Sequence, residues 1–307
     1  MAVSDRPTDS FRDRLTAFAR EIDGVRRGNV EALHRARVAS RRLRELLPLL
    51  DLDAETTRKL NRQLRRVTKQ LGTVREFDVL IGSIDEFARR RRYSAVALAR
   101  LRYVIGRRRA AVRKHLAYKL PTRKLVRLVI RLARVVRSRK SIDPKRRLKD
   151  HGGAKPAWRR TLDARLARRA TRVQRAIEVA GALYAAEPLH EVRIALKKLR
   201  YATELSQEAG RARLTADVNA LKAAQELLGR LHDYEVLIAA GREVQASLSP
   251  PAVATWRELK GLAQTIEDDC RHLHARYMRD RRRLVAIADR LGAGQALTSA
   301  ASRRAAG

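Results

Sequence analysis

The feature that most constrains this chain is a cationic motif that occurs twice, 156 positions apart. The copies begin at His34 and at His190, and both fit the pattern H-x-x-R-x-x-x-[RK]-[RK]-x-R. They read HRARVASRRLR and HEVRIALKKLR. Spacings of three and four residues place side chains on one side of an α-helix. The repeat therefore predicts a duplicated chain in which each half presents a similar helical face.

A second pair of segments supports the duplication. Leu71–Ile81 reads LGTVREFDVLI and Leu228–Ile238 reads LGRLHDYEVLI, with an offset of 157 positions. Two ordered motifs at nearly the same offset are hard to obtain by chance. We expect each half to be a bundle of about four helices. The predicted segments are an N-terminal bundle at 9–137, a linker at 138–156, a C-terminal bundle at 157–291 and a flexible tail at 292–307.

Helical periodicity runs through almost the whole sequence. Gly and Pro are few, at 15 and 8, and apolar residues recur at spacings of three and four with no sustained alternation. This pattern predicts an all-α fold. The candidate helices are 11–22, 30–49, 54–71, 74–91, 96–117, 122–137, 157–179, 188–208, 212–228, 234–246 and 252–291, the last of which is expected to break.

The two Leu-Gly pairs predict helix ends. Gly72 and Gly229 are expected to stop a helix in the left-handed conformation that glycine adopts readily. Glu76 and Asp233 would then lie near the start of the next helix, where a carboxylate favours the helix dipole. Arg75 and His232 would be cations at a helix start, which a nearby anion should compensate.

The charge balance points to a polyanionic partner. The chain has 70 Lys and Arg against 33 Asp and Glu, a net charge of +37. Such self-repulsion opposes compaction, so nucleic acid, an anionic membrane surface and polymeric phosphate are the natural partner classes. The single cysteine, Cys270, excludes an intrachain disulfide. With no secretory signal and no apolar run near ~20 residues, we expect a cytoplasmic protein without a membrane partner.

A helical projection of the first motif separates charge from core. At 100° per residue, the first, fourth, eighth and eleventh residues form one cationic stripe, and Arg42 flanks it. The apolar residues of the same segment fall on the opposite side, facing a core. The stripes are His34, Arg37, Arg41 and Arg44 in the first copy and His190, Arg193, Lys197 and Arg200 in the second. The core residues are Leu43, Leu46, Leu47 and Leu50 in the first copy and Val192, Leu196 and Leu199 in the second.

Arginine suits phosphate binding because its planar fork grips two oxygens. Histidine adds an N–H donor and becomes charged in mild acid, so binding is expected to tighten as pH falls from about 8 to about 6. Pro188 is expected at the first helical position, which would place His190 in the first turn beside free amides. A third stripe follows at Arg58, Arg62, Arg65 and Lys69, whereas the matching stretch of the second half keeps mainly Lys222. The runs 89–92 and 107–109 are expected to be surface charge.

These paired motifs resemble the CHAD domain, the histidine-containing α-helical domain, over about residues 9–290. The resemblance implies two four-helix bundles related by a pseudo-twofold axis, with a basic groove or channel between them. It also implies binding of inorganic polyphosphate and association with polyphosphate granules. Where family members carry Arg-Asp after Leu-Gly, this chain has Arg75-Glu76 and His232-Asp233. The candidate polyphosphate-binding residues are His34, Arg37, Arg41, Arg42, Arg44, Arg62, Arg65, Lys69, Arg75, His190, Arg193, Lys197, Lys198, Arg200 and Lys222.

Three functions compete at this point. The first is non-catalytic polyphosphate binding, for which no cofactor and no metal are expected. The second is nucleic-acid binding, which the charge fits; the aromatic content of 4% does not favour a single strand, but duplex DNA or RNA needs no aromatics. The third is a phosphohydrolase, which would need carboxylates to hold Mg²⁺. The acidic run 267–269 with His272 and His274 is the only local cluster of ligand types, and we expect it to be a solvated helix face.

Overall fold

The computed structural model describes residues 6–140, 156–248 and 252–293. Over these ranges the chain is helical and contains no strand, so the all-α prediction is confirmed. Short 3₁₀ turns at Leu47–Leu49 and Ala212–Leu214 connect longer helices. The helices are α1 Arg6–Arg20, α2 Ile22–Arg26, α3 Val30–Leu46, α4 Ala54–Ala88, α5 Ala95–Lys119, α6 Thr122–Lys140, α7 Ala157–Ala180, α8 Ala186–Glu208, α9 Thr215–Ala246 and α10 Val253–Ala293.

The predicted helix breaks at Gly72 and Gly229 are wrong. α4 continues for 35 residues and α9 for 32, so Glu76 and Asp233 lie inside helices rather than at their starts. The glycines with positive φ are elsewhere, for example Gly28 at 73°. A glycine inside a helix costs about 1 kcal/mol relative to alanine, which tertiary packing can offset. The expected break within 252–291 is also wrong, because α10 runs unbroken for 41 residues.

The chain forms two compact units that interleave along the sequence. Unit 1 comprises 1–78 and 108–162, and unit 2 comprises 79–107 and 163–307. α4 and α5 therefore each contribute to both units. The repeat-based boundaries at 137 and 157 stay a prediction, as do the duplication, the four-helix bundles and the shared groove. Of the predicted linker and tail, residues 141–155 and 294–307 lie outside the described residues.

Unit 1 is built on the apolar faces of α1, α3 and α6. Phe11 and Phe18 of α1 are fully buried, and α1 packs on both α3 and α6. α3 begins after Asn29, whose side-chain oxygen accepts a hydrogen bond from the Ala32 amide at 2.8 Å. This cap satisfies one of the amides that a helix start leaves unpaired. It fixes where α3 begins.

Unit 2 is built on α8, α9 and α10, which pack in that order. Phe87 stacks on Tyr93 with ring centroids 4.3 Å apart, and its edge meets Tyr234 at 4.9 Å. The Tyr93 hydroxyl donates a hydrogen bond to the Asp269 carboxylate. These contacts anchor the residues around Phe87 and Tyr93 to the core of unit 2. Residues 79–107 accordingly belong to this unit.

Candidate anion-binding sites

In unit 1 the first cationic motif lies along α4 in an antiparallel register. Near the middle of α3, the Ser40 and Thr68 hydroxyls are hydrogen bonded at 3.0 Å and buried. Towards the C-terminal end of α3, Arg44 Nε donates to Asn61 Oδ1 at 3.3 Å. Towards its N-terminal end, α3 lies against the Gly72 region of α4. The motif is therefore held against α4 along its whole length.

The same register recurs in unit 2 between α8 and α9. Nδ1 of His190 lies 3.1 Å from Nδ1 of His232, within hydrogen-bond distance. At the other end of the motif, Arg200 Nε donates to Gln225 Oε1 at 2.9 Å. Each unit thus places its histidine-headed helix beside the Leu-Gly helix, at matching positions of the two motifs.

Gly72 in α4 and Gly229 in α9 lie where an arginine of the neighbouring helix crosses. A Cβ atom at Gly72 would lie 3.3 Å from Arg37 Nε, and one at Gly229 would lie 3.7 Å from Arg193 Nε. The missing side chain leaves space for the guanidinium against the helix. This close approach explains the glycine at Gly72, whereas a Cβ at Gly229 would make only an ordinary van der Waals contact.

The predicted core face of each motif is confirmed. Each of the leucines and valines opposite the cationic stripes has at most 2% of its surface exposed. The motif side chains on the stripes themselves are only half buried, between the core and solvent. The buried residues are Leu43, Leu46, Leu47, Leu50, Val192, Leu196 and Leu199.

We call the half-buried group of His34, Arg37, Arg41 and Arg75 site 1. Nδ1 of His34 is buried and has no hydrogen-bond partner among the residues described. Burial lowers the pKa of His34, and the charge of Arg75 lowers it further, ahead of the smaller effects of Arg37 and Arg41. Site 1 is therefore a neutral imidazole among three guanidinium groups, an arrangement that favours an anion.

We call the corresponding group of His190, Arg193, Lys197 and His232 site 2. Its imidazole rings are 4.2 Å apart between centroids. The pKa of His232 is lowered to about 4, mostly by burial and to a smaller extent by the charges of Arg193, His190 and Lys197. Burial also lowers the pKa of His190, followed by the charge of Arg193.

The contact between the two Nδ1 atoms sets the protonation of site 2. A hydrogen bond between them requires one to carry a proton and the other to be bare, so the neutral pair holds opposite tautomers. Protonation of the bare Nδ1 would give one ring a positive charge and leave two N–H donors facing each other. An anion that accepts from the rings would compensate that charge, so anion binding and proton uptake are coupled at this site.

The flanks of the two sites differ. Beside site 1, the α4 stripe of Arg58, Arg62, Arg65 and Lys69 is exposed. The pKa of Arg44 is lowered by burial and by repulsion from Arg65, which places the two stripes within electrostatic reach of each other.

Beside site 2, the cations have acidic neighbours. Arg200 pairs with Glu204, and only 12% of its side chain is exposed. Its guanidinium also lies 4.6 Å from the ring centroid of Tyr201. On α9, Nζ of Lys222 lies 4.0 Å from Glu226. The flank of site 2 is therefore less basic than the flank of site 1.

Three remaining sequence predictions are located by the structure. Arg42 and Lys198 are half buried beside their stripes, and the Lys198 carbonyl accepts from Arg169 Nη1 at 2.8 Å. The expected first-turn position of His190 is wrong, because α8 begins at Ala186 and places Pro188 third. The backbone is extended at Ala185 and helical from Ala186. The Leu189 amide donates a hydrogen bond to the Ala185 carbonyl, so the helix is already formed before His190.

His232 is a site residue that the sequence indicated only as a basic residue near an anion and that is absent from the predicted binding residues. It aligns with Arg75 at the 157-position offset, and that alignment was the available signal. The two residues differ in type, so the motif alone did not show that both meet the motif histidine. Gln225 was also missed, because nothing in the sequence showed that Arg200 would donate to it.

The three carboxylates of the 267–269 run form ion pairs, Asp268 with Arg271. Asp269 accepts from Arg92 at 2.8 Å, and Glu267 accepts from Arg242 at 2.6 Å. Arg109 is not the surface charge that was expected, because its Nε donates at 2.6 Å to Asp78, whose side chain is 2% exposed. Among the residues described, no three His, Cys, Asp or Glu side chains are grouped in a way that could hold a metal ion.

Across the described ranges, no helix combines the length and apolar character needed to cross a bilayer.

The fold and the sites together define an all-α protein that carries two matching histidine and arginine clusters. The CHAD domain family model matches residues 9–242, and the chain belongs to this family. The predicted resemblance is thereby confirmed.

Two solved structures share the fold. The crystal structure of the CHAD domain from the plant Ricinus communis is 25% identical, with a TM-score of 0.59 over 91% of this chain and 92% of that one. PptA from Streptomyces chartreusis is 20% identical, with a TM-score of 0.58 over 97% of this chain and all of that one. No curated protein matches the chain.

Proposed function

We propose that this protein binds inorganic polyphosphate at sites 1 and 2 without a catalytic step. The observation that carries the proposal is the repeated register, in which a motif histidine and arginine lie against a glycine and a basic side chain of the next helix. Two such clusters in a chain of net charge +37 favour a ligand with many phosphates.

Polyphosphate fits these clusters better than single-stranded nucleic acid does. A flexible phosphate chain needs only cations and N–H donors along its path, which both sites supply. Single-stranded nucleic acid also needs aromatic platforms for its bases, and Tyr201, which follows the second stripe, lies against the Arg200 guanidinium. Association with polyphosphate granules in the cytoplasm follows if the same sites bind long chains.

The test is a titration with polyphosphates of defined length at physiological salt. The variant carries Arg37→Gln, Arg41→Gln, Arg193→Gln and Lys197→Gln. The matched control removes four exposed arginines of α10 by Arg276→Gln, Arg279→Gln, Arg282→Gln and Arg283→Gln. We expect the site variant to lose about 100-fold in affinity and the control only a few-fold, because only the site variant loses phosphate contacts. Each lost contact should also reduce the dependence of affinity on salt.

Three further measurements complete this test. Far-UV circular dichroism should show that both variants keep their helical content. Phosphate release should stay at background, which separates binding from hydrolysis. Duplex DNA in excess should leave polyphosphate bound. Equal losses in the two variants would refute the proposed sites, and displacement by duplex would favour nucleic acid.

A further inference from the structure

α6 carries a row of cations on the side away from the core. Its apolar residues Leu125, Leu128, Leu132 and Val136 are buried where the helix packs on α1 and α2. The opposite side carries exposed Arg and Lys side chains over about four turns, roughly 21 Å. We call this surface the α6 ridge: Arg123, Lys124, Arg127, Arg131, Arg134 and Arg137.

The charge of the α6 ridge is uncompensated within the described part of the chain. No acidic residue occurs between Thr122 and Lys140. None of the six cations forms an ion pair with a described residue. Many exposed arginines elsewhere do, as Arg102 does with Asp85 at 2.7 Å. Like charges three and four residues apart repel one another, so the ridge favours an external anionic surface.

Two aliphatic side chains lie on this charged face. Val126 is 42% exposed and Ile130 is 49% exposed. Taking Arg123 as zero, Ile130 projects at about 340°, among arginines at about 320° to 80°. Phosphate chains and nucleic-acid backbones gain little from aliphatic contacts. A bilayer interface offers anionic headgroups and, just below them, acyl chains.

We propose that the α6 ridge docks the protein on the surface of an anionic lipid bilayer. Its arginines contact headgroup phosphates and carboxylates, while Ile130 and Val126 enter the boundary with the acyl chains. An exposed helical face can lie along a flat surface over its whole length. The ridge shares no residue with sites 1 and 2, so this surface contact goes beyond polyphosphate binding, although it revises the expectation of no membrane partner.

Vesicle sedimentation tests the electrostatic part. Vesicles containing about 30% phosphatidylserine should bind the wild type, and Arg127→Gln, Arg131→Gln, Arg134→Gln should reduce the partition coefficient at least tenfold. The control, Arg276→Gln, Arg279→Gln, Arg283→Gln on α10, removes the same charge and should cost less than about threefold. Equal losses would mean that net charge alone drives binding and would overturn the proposal.

A label on the ridge tests the apolar part. The only cysteine, Cys270, is buried, and burial raises its pKa to about 12, so a new surface thiol can be labelled selectively. An environment-sensitive dye at Ile130→Cys should shift to the blue with anionic vesicles, whereas the same dye at Arg276→Cys should not. Absence of a shift at Ile130→Cys during vesicle binding would refute insertion. If the ridge variant loses duplex DNA binding but keeps vesicle binding, the surface is a nucleic-acid interface and the proposal fails.

Discussion

Sites 1 and 2 have the same helix register but different electrostatics. In site 1 the motif histidine faces a permanent cation, Arg75, whereas in site 2 it faces a second imidazole, His232. The flank of site 1 is an exposed basic stripe, whereas the flank of site 2 contains Arg200 paired with Glu204. The packing of the two motifs therefore fixes where charge is placed. The residue type at single positions, such as Arg75 or His232, decides how much charge is present and at which pH.

The largest expected difference concerns affinity. Arg37→Gln with Arg41→Gln in site 1 should weaken polyphosphate binding about thirtyfold, whereas Arg193→Gln with Lys197→Gln should weaken it about fivefold. Each pair removes two charges, but site 1 lies beside the more basic flank. Isothermal titration at physiological salt measures both. Equal losses would show that the flanking stripe does not contribute.

The second difference concerns pH. The lowered pKa of His232, about 4 in the free protein, should rise when a polyanion binds. Affinity should therefore increase about tenfold as pH falls from about 7 to about 5, a lower range than sequence alone suggested. His232→Arg gives site 2 the residue of site 1 and should flatten this profile while raising affinity at neutral pH. An unchanged slope in the variant would assign the pH dependence to other groups.

The third effect concerns the ligand-free protein. The folded pKa of His232 lies below the unfolded value of about 6.5, so its stabilising contribution is complete above that pH. It is lost as pH falls towards about 4, because the unfolded state then binds more protons. After allowance for partial solvent exposure, we expect about 1 kcal/mol. Urea unfolding across this range should show a weaker pH dependence for His232→Gln, and an identical dependence would contradict the assignment.

The smallest effect separates the two glycines. Gly229→Ala should stabilise α9 by up to about 0.8 kcal/mol with unchanged binding, because its Cβ would meet Arg193 Nε at an ordinary 3.7 Å. Gly72→Ala should gain less and weaken binding about twofold, because Arg37 Nε at 3.3 Å must move. Thermal unfolding and titration of both variants test this. Identical behaviour would show that Arg37 adjusts freely.

Periodicity was sufficient to predict the helices and the two faces of α3 and α8. The 100° projection separated the arginine stripes from leucines such as Leu43, which is fully buried, because that separation depends on one helix only. The helix breaks predicted at Gly72 and Gly229 were wrong because a local glycine rule cannot account for tertiary packing. Gly72 is present for the approach of Arg37, which the sequence around it does not show.

The imidazole pair could not be predicted for a related reason. His190 and His232 are 42 residues apart, and only the packing of α8 on α9 brings their rings together. The offset of 157 aligned His232 with Arg75, but a histidine and an arginine at one aligned position do not by themselves indicate a shared partner.

The most direct test of the two sites is NMR of protein labelled with ¹⁵N at histidine. The chain has seven histidines, of which three belong to the sites and His272 is an exposed control on α10. Adding polyphosphate at about pH 6.5 should move the ring signals of His34, His190 and His232 towards the protonated form and leave His272 unchanged. If polyphosphate binds while the three site signals stay in place, the ligand lies elsewhere and the proposed binding at sites 1 and 2 is contradicted.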